Sequence, residues 1–367
     1  MNKFIPVAEP NIGQKEISYV LKAVKSGWVS SLGYYVEKFE NDFTEYCGRK
    51  YGVSVSNGTV ALHLALVSLG IERGDEVIIP NFTFVAVANA VTYTGAKIVP
   101  VDIESDTWNI NSQKIESKIT KKTKAIIPVH TYGHPANMDP ILKIAKEYNL
   151  FVIEDAAEAH GAEYKGKKVG SFGDISCFSF YGNKSITTGE GGMCLTDDEN
   201  LYKKMLLLRD HGMRKEKKYW HEVIGYNYRL TNLQAALGCA QLEKINQFIW
   251  IKRRNAELYK NLLKNLPWIT LPVEKEYAKN IYWMFSILVN NEMGYNRNLV
   301  AKKLKKANID SRVFFYPISD LPPYKNKVKN KNLEISKKIA YRGLNLPSST
   351  KLTEKEIKYI CKILKDL

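Results

Sequence analysis

The sequence predicts an α/β fold, a mostly parallel sheet with helices on both faces, followed by a smaller α+β domain. Three observations carry that expectation. Short β-branched runs recur through the first half: EVIIP (76–80), AKIVPV (96–101), KAIIPV (124–129) and LFVIED (150–155). Stretches with helical spacing lie between them, as in NMDPILKIAKEYN (137–149). Strands alternating with helices in this way build a parallel sheet covered on both sides. A long helical signal around residue 250 then leads into a segment of different charge.

In chain order, SNGT (56–59) is a small-residue turn opening the helical run 60–69. The four β-branched runs follow as strands, and ISCFSF (175–180) and GMCLT (192–196) read as two more. Thr231 is placed to cap a helix over 231–250, which continues into IKRRNAELYKNLLKNL as one long bridging helix. Beyond it, WMFSILV (283–289) reads as a strand. A last helix starts at Thr353, with Glu356 completing a capping box and Ile357, Ile360, Cys361 and Leu364 forming one stripe. The expected organisation is a large domain over 1–250, with an N-terminal arm, and a small one over 251–367. No internal repeat or long low-complexity linker interrupts it.

Composition excludes several classes. With 367 residues, 45% of them hydrophobic, the chain can bury a large core and is not disordered. No apolar run approaches the ~18 residues of a membrane helix. The best, 84–91 and 61–71, are interrupted by Asn89 and His63. The first 20 residues lack the basic-then-apolar layout of a secretion signal. Five scattered cysteines without a CxxC pair fit a reduced compartment, with neither a disulfide framework nor a structural zinc. No His, Cys, Asp or Glu cluster has metal-ligand spacing. A cytoplasmic protein is expected, with no membrane partner.

The net charge is +16, unevenly placed. Residues 1–250 carry 29 basic and 28 acidic side chains, whereas residues 251–367 carry 25 and 10. The excess sits in lysine-rich runs such as KKLKKANI and YKNKVKNKNLEISKK. A solvated lysine face, attraction of an anionic small substrate and a phosphate-binding surface compete as explanations. Nucleic-acid readers interleave basic residues with stacking aromatics or carry a reading module. Neither is present here, so nucleic acid is not an expected partner.

Ligands in such sheets bind beyond the carboxyl ends of the strands, and the candidate chemistry falls there. Lys184 follows the strand ISCFSF by four residues and precedes GEGG (189–192). A lysine so placed can form a Schiff base with a cofactor aldehyde if burial or a nearby cation depresses its pKa. A surface lysine in a turn is the competing reading. Asp155 ends an apolar strand, where a carboxylate is costly unless paired. Pyridoxal phosphate needs such a carboxylate against its pyridine nitrogen, so that the protonated ring absorbs carbanion charge. A helix cap is the alternative. Glu154 points away from Asp155, because side chains alternate faces along a strand. The turn at Gly58 and Thr59 offers free N–H groups as a phosphate seat, to which Ser179 could add a hydroxyl; a plain N-cap looks the same. His160 is placed either to contact substrate or simply to pack, and His63 is structural.

The ordered set SNGTVALHLAL, GDEVIIPNFTFVAVANAV, TKAIIPVHTYGHPANM, VIEDAAEAHGAEYKGKKVGSFGD, CFSFYGNKSITTGEGG and GYNYRLTNLQAA resembles the DegT-type sugar-nucleotide aminotransferases. These are pyridoxal-phosphate enzymes of aspartate-aminotransferase fold (fold type I), and the likeness runs over nearly the whole chain. It implies that Lys184 bonds the cofactor aldehyde and Asp155 pairs with the ring nitrogen. Phe84 would stack on the ring, while Gly58, Thr59 and Ser179 would hold the phosphate. Asn227 would reach the phosphate of a neighbouring subunit's cofactor, making a homodimer with shared active sites. Arg229 and Arg312 would meet the substrate's pyrophosphate, and Glu158 and His160 would border the sugar. Residues 28–33 (WVSSLG), with Trp28, Ser30 and Ser31, would form a substrate-side loop.

Within the family, GNKSITTGEGGM, Tyr219-Trp220 before GYNYRLTN, SRVFFYP, LPPY and LNLPS are most similar to the perosamine-forming branch. That likeness implies transfer of the amino group of L-glutamate to the 4-keto carbon of GDP-4-keto-6-deoxy-D-mannose. The step belongs to deoxysugar and polysaccharide biosynthesis. Phe84 replaces a frequent Tyr, and Phe315-Tyr316 alters the sugar-side stretch, where Tyr316 is a substrate candidate. A dTDP- or UDP-linked viosamine-type product is therefore the alternative. Two readings of other kinds are an amino-acid enzyme of the same fold and a non-catalytic nucleic-acid-binding regulator. A branch that removes a hydroxyl instead of adding an amine carries His in place of the lysine; Lys184 is present, which favours transamination.

Overall fold

A computed structural model describes residues 3–328 and 332–367. Lys329, Asn330 and Lys331 of the lysine-rich run lie outside the described residues. Seven strands form the central sheet: β1 (Tyr51–Val55), β2 (Glu76–Pro80), β3 (Lys97–Val101), β4 (Thr123–Ile126), β5 (Phe151–Asp155), β6 (Ile175–Ser179) and β7 (Gly192–Thr196). Their spatial order is β1-β7-β6-β5-β4-β2-β3. β7 runs antiparallel to both neighbours, and the other pairings are parallel. β2, β6 and β7 are buried at every residue, as expected of continuous apolar strands with helices on both faces.

β1 escapes a pattern search because Gly52 and Ser54 interrupt its apolar run. Tertiary contact explains both residues. A Cβ at position 52 would stand 2.1 Å from Thr44 Oγ1, so only glycine lets the helix Tyr34–Cys47 lie this close. The Ser54 hydroxyl donates to Glu40 Oε1 of that helix at 2.7 Å.

The helix Gly58–Ser68 has no polar stripe, and its inner residues Ala61, Leu62, Leu64 and Ala65 are buried. An all-round apolar helix belongs inside, and this one packs against β6 and β7 beneath other helices. On the opposite face, Phe43 is fully buried against the rings of Phe39, Phe178 and Phe180. Truncating it to alanine costs roughly 3–5 kcal/mol.

The expected long helix is two helices, Asn232–Leu242 and Ile245–Leu263. The N-terminal helix Gln14–Lys25 holds the break open. Glu243 pairs with Lys15 and accepts from Tyr19, while Lys244 and Gln241 both engage Glu16. Four bonds to another segment outweigh a sequence that could continue as helix. The Thr231 and Thr353 capping boxes form as expected.

A second, antiparallel sheet contains β8 (Ile269–Thr270), β9 (Phe285–Val289), β10 (Arg312–Val313) and β11 (Gly343–Leu346), in the order β8-β9-β11-β10. The helix Ile245–Leu263 crosses residue 250 and serves both parts. Phe248 and Ile249 join the core of the large sheet, and Ala256, Tyr259 and Leu263 join that of the small one. The N-terminal arm also lies on the second part, with Ile5 bridged to Ile309 and Val7 O accepting from Ser348 N. No helix among the described residues is long and apolar enough to cross a membrane. All five cysteines are buried and unpaired.

Candidate active site

The carboxyl ends of β1, β2, β5 and β6 converge on one cleft, and the antiparallel β7 closes it from between. Gly192, the first residue of β7, pairs with Val55 on one side and Ser179 on the other. This register brings the turn after β1 beside the end of β6. A Cβ at Gly58 would lie 2.6 Å from the Ser179 Cβ. Asn57 caps the helix Gly58–Ser68 by accepting from Val60 N at 3.0 Å. Among the described residues no acceptor takes the Gly58 and Thr59 N–H groups at the helix start, and Ser179 adjoins them.

β5 separates two adjacent carboxylates. Glu154 turns to the closed side, where Oε1 accepts from the N–H groups of Phe172 (2.6 Å) and Gly173 (2.8 Å), and Oε2 from Gly170 (2.8 Å). His130 Nε2 lies 3.1 Å from the same Oε2. Burial alone would raise the Glu154 carboxyl, but His130 and these amides hold it below the ordinary value. Asp155 turns to the cleft. Its Oδ1 accepts from Ala157 N at 3.0 Å, and among the described residues no donor reaches Oδ2. Burial pushes its pKa up, while Ala157 N–H, Lys184 and His130 pull it back. Asp155 thus awaits a positively charged donor.

Lys184 sits on the turn after β6, its N–H bonded to Tyr181 O. The residue is half-buried, yet the amine lies deep enough for burial to lower its pKa. Glu158 and Asp155 raise it and Arg312 lowers it, which brings the Arg312 guanidinium within electrostatic reach of the amine. Glu158 is 4% exposed, and its Oε2 accepts from Tyr132 N at 2.8 Å. Tyr132 holds a left-handed backbone (φ 51°) to make that bond. Burial lifts the Glu158 carboxyl to about 7.

These groups fit pyridoxal phosphate. A buried carboxylate has one unpartnered oxygen, an amine stands beside it, and a helix start lined by glycine forms a cradle. Asn183 Oδ1 and Ser185 Oγ, flanking the lysine, are buried without partners. Phe84 is 53% exposed and tilted against Phe315 at 5.6 Å.

The other expected residues sit in several different settings. His160 is fully buried among Phe43, Phe178 and Phe180, and burial with the Lys184 charge pushes its pKa down to about 3. It packs behind the cleft, which favours the packing reading of this residue over the sugar-side one. Arg229 is tied to Asp210 and lies 3.4 Å from His211 Nε2. Arg312 and Tyr316 are exposed. Asn227 is exposed and bridged to Asp210. Residues 28–33 are pinned by one residue: Asn232 Nδ2 donates to Trp28 O at 2.7 Å, and the Asn232 backbone N–H donates to Ser30 O. Ser30 is exposed and Ser31 half-buried. His63 bonds the Tyr228 hydroxyl (3.0 Å) within a ring cluster and is structural.

Sequence reasoning missed Trp283 and Tyr132, which border the lysine and Glu158. Trp283 opens the run read as a strand and Tyr132 lies in a quoted motif, but nothing local aims either side chain at the site; the Gly133 that follows Tyr132 (φ 99°) is the one local hint. Among the described residues no three His, Cys, Asp or Glu side chains gather as metal ligands.

The chain is similar to known proteins over nearly its whole length. It is 48% identical to the GDP-perosamine synthase of Escherichia coli O157:H7, covering 99% of this chain and 98% of that protein. It is 46% identical to the GDP-perosamine synthase of Caulobacter vibrioides, covering 96% and 95%. A putative sugar aminotransferase from Streptococcus pneumoniae, solved in its PLP form, superposes with a TM-score of 0.93 at 29% identity, covering 99% and 98%. The model of the DegT/DnrJ/EryC1/StrS aminotransferase family matches residues 10–365. The chain belongs to that family of aminotransferases.

Proposed function

We propose that this aminotransferase uses pyridoxal phosphate to move the amino group of L-glutamate onto the 4-keto carbon of GDP-4-keto-6-deoxy-D-mannose, giving GDP-perosamine. The observation carrying the substrate assignment is the 48% identity to a GDP-perosamine synthase, with both chains covered almost end to end. The division of labour is a large unit over 1–250 that holds the cofactor and a smaller one over 251–367 that helps close the cleft.

When bound, the cofactor supplies an aldehyde that condenses with amines and a ring that absorbs the electron pair left by proton removal. Lys184 takes the α-proton of the donor amino acid on its Nζ and returns a proton on the same face. Burial lowers its proton affinity and so makes it a better base near neutral pH. Asp155 Oδ2 keeps the ring-nitrogen proton in place. The Gly58 and Thr59 N–H groups and the Ser179 hydroxyl hold the phosphate, and Phe84 limits tilt of the ring. Asn227, exposed on its strap, suits a contact with a second subunit's site, hence a homodimer. Arg312, close to the amine, is the better candidate for the substrate pyrophosphate. Asp210 already occupies one side of Arg229, which gives it the outer position. Trp28, Ser30, Ser31 and Tyr316 form the outer rim, and Glu158 the inner one.

Turnover compared among GDP-, dTDP- and UDP-4-keto-6-deoxy sugars tests the reading. The GDP sugar is expected to be best. A strong preference for the dTDP sugar would make viosamine-type synthesis the function. Loss of roughly 10²–10⁴-fold in rate is expected for Lys184→Ala with any of them.

A further inference from the structure

The Lys184 amine makes no hydrogen bond and no ion pair within 4 Å among the described residues. Instead, Nζ stands 3.9 Å from the centroid of the Trp283 ring. Trp283 is 4% exposed and reaches the cleft from the segment entering β9, outside the large sheet. Its Nε1 donates to Asn183 O at 2.8 Å, bonding the turn that carries the lysine. Its own carbonyl accepts from Lys252 Nζ at 3.1 Å, and Lys252 also donates to Ser348 O at 2.9 Å. The indole is thus fixed at its backbone by a buried lysine of the helix Ile245–Leu263, and at its ring nitrogen by the residue preceding the catalytic lysine.

We propose that Trp283 is a positioning residue for transamination: its indole face is the seat of the Lys184 ammonium whenever that amine, free of the cofactor, carries a proton. The inference rests on Lys184 being the reactive amine of the aminotransferase reaction. A free lysine has four rotatable bonds and, unanchored, would lose its aim. Two carboxylates, Asp155 and Glu158, act electrostatically on the amine and compete for its charge. Capture by Asp155 would consume the charge that the ring nitrogen needs, and capture by either would offer the proton a second home. A π face attracts the cation and has no lone pair to take its proton. The ammonium therefore keeps its proton, stays aimed, and leaves at modest cost. The bond to Asn183 O makes the seat and the turn one unit, so the side chain swings between two fixed points.

The test uses the full-length apoenzyme, prepared by removing pyridoxal phosphate, with trace acylation of lysines across pH and mass spectrometry of the Lys184 peptide. Trp283→Leu removes face and donor together; Trp283→Phe keeps a face and loses the donor. The Lys184 titration is expected to fall by about one pKa unit in Trp283→Leu and by less in Trp283→Phe. Graded fluorination of tryptophan, which weakens the π face without changing shape, should lower it stepwise and decides the matter if Trp283→Leu does not fold. An unchanged Lys184 titration in a folded Trp283→Leu that still binds pyridoxal phosphate, or in the fluorinated protein, overturns the proposal. Failure of the underlying reading looks different: pyridoxal phosphate would then leave Lys184 of the wild-type protein as open to acylation as before.

Discussion

Glu154 Oε2 lies 3.1 Å from His130 Nε2, and the His130 Nδ1 accepts from Ala136 N at 3.0 Å. That second bond leaves the ring proton on Nε2, aimed at the carboxylate. Glu154 is thereby saturated by His130 and three amides, while its neighbour Asp155 keeps an oxygen open to the cleft. One strand residue is architecture and the next is chemistry. Replacing each by its amide should separate the two roles.

Glu154→Gln should lose roughly 3–5 kcal/mol of stability, since an NH2 group would face N–H donors in a buried site. Asp155→Asn should fold as well as wild type, because burial already disfavours its charge, yet lose about 10²–10³-fold in rate. Denaturant melts beside steady-state rates check both. Equal stability losses would show that the two carboxylates share one structural role.

Gly58→Ala inserts a methyl 2.6 Å from the Ser179 Cβ. Helix start and strand end must then part, at about 1–3 kcal/mol. Cofactor titration should show weaker binding, and added inorganic phosphate should protect the variant less than wild type. Unaltered affinity would move the phosphate seat elsewhere.

Glu158 predicts a pH dependence of apoenzyme stability. Its carboxyl titrates near 4.5 when unfolded and at about 7 when folded. The folded state binds this proton more tightly, so the stabilisation is complete below pH 4.5 and is lost as pH rises through 7. Wild type minus Glu158→Gln stability should therefore fall across that window. A flat difference would mean that Glu158 is not buried as described.

Lys252 gives the opposite sign. Burial lowers its amine from 10.5 to about 8. The unfolded chain then binds more protons between pH 8 and 10.5, and stability from this group rises with pH in that range. Wild type should gain on Lys252→Met from pH 8 upward, with no change in the difference below it. Paired chemical denaturation curves at several pH values measure this.

The sequence by itself determined the local terms of this protein. Runs of β-branched residues set the strands of the parallel sheet, Thr231 and Thr353 set two helix starts, and strand alternation told Asp155 from Glu154. Ordered motifs placed Lys184 just past a strand and Gly58 at a helix start. Each of these depends on neighbours within a few residues, so composition and spacing suffice. Tertiary structure alone decided what depends on partners far along the chain. The break at Glu243-Lys244 comes from Glu16, Lys15 and Tyr19; the glycine in β1 answers to Thr44; His160 was drawn behind the cleft by a nest of phenylalanines. Trp283 meets Lys184 across 99 positions only because two sheets pack together, and burial of that kind leaves no period in the sequence.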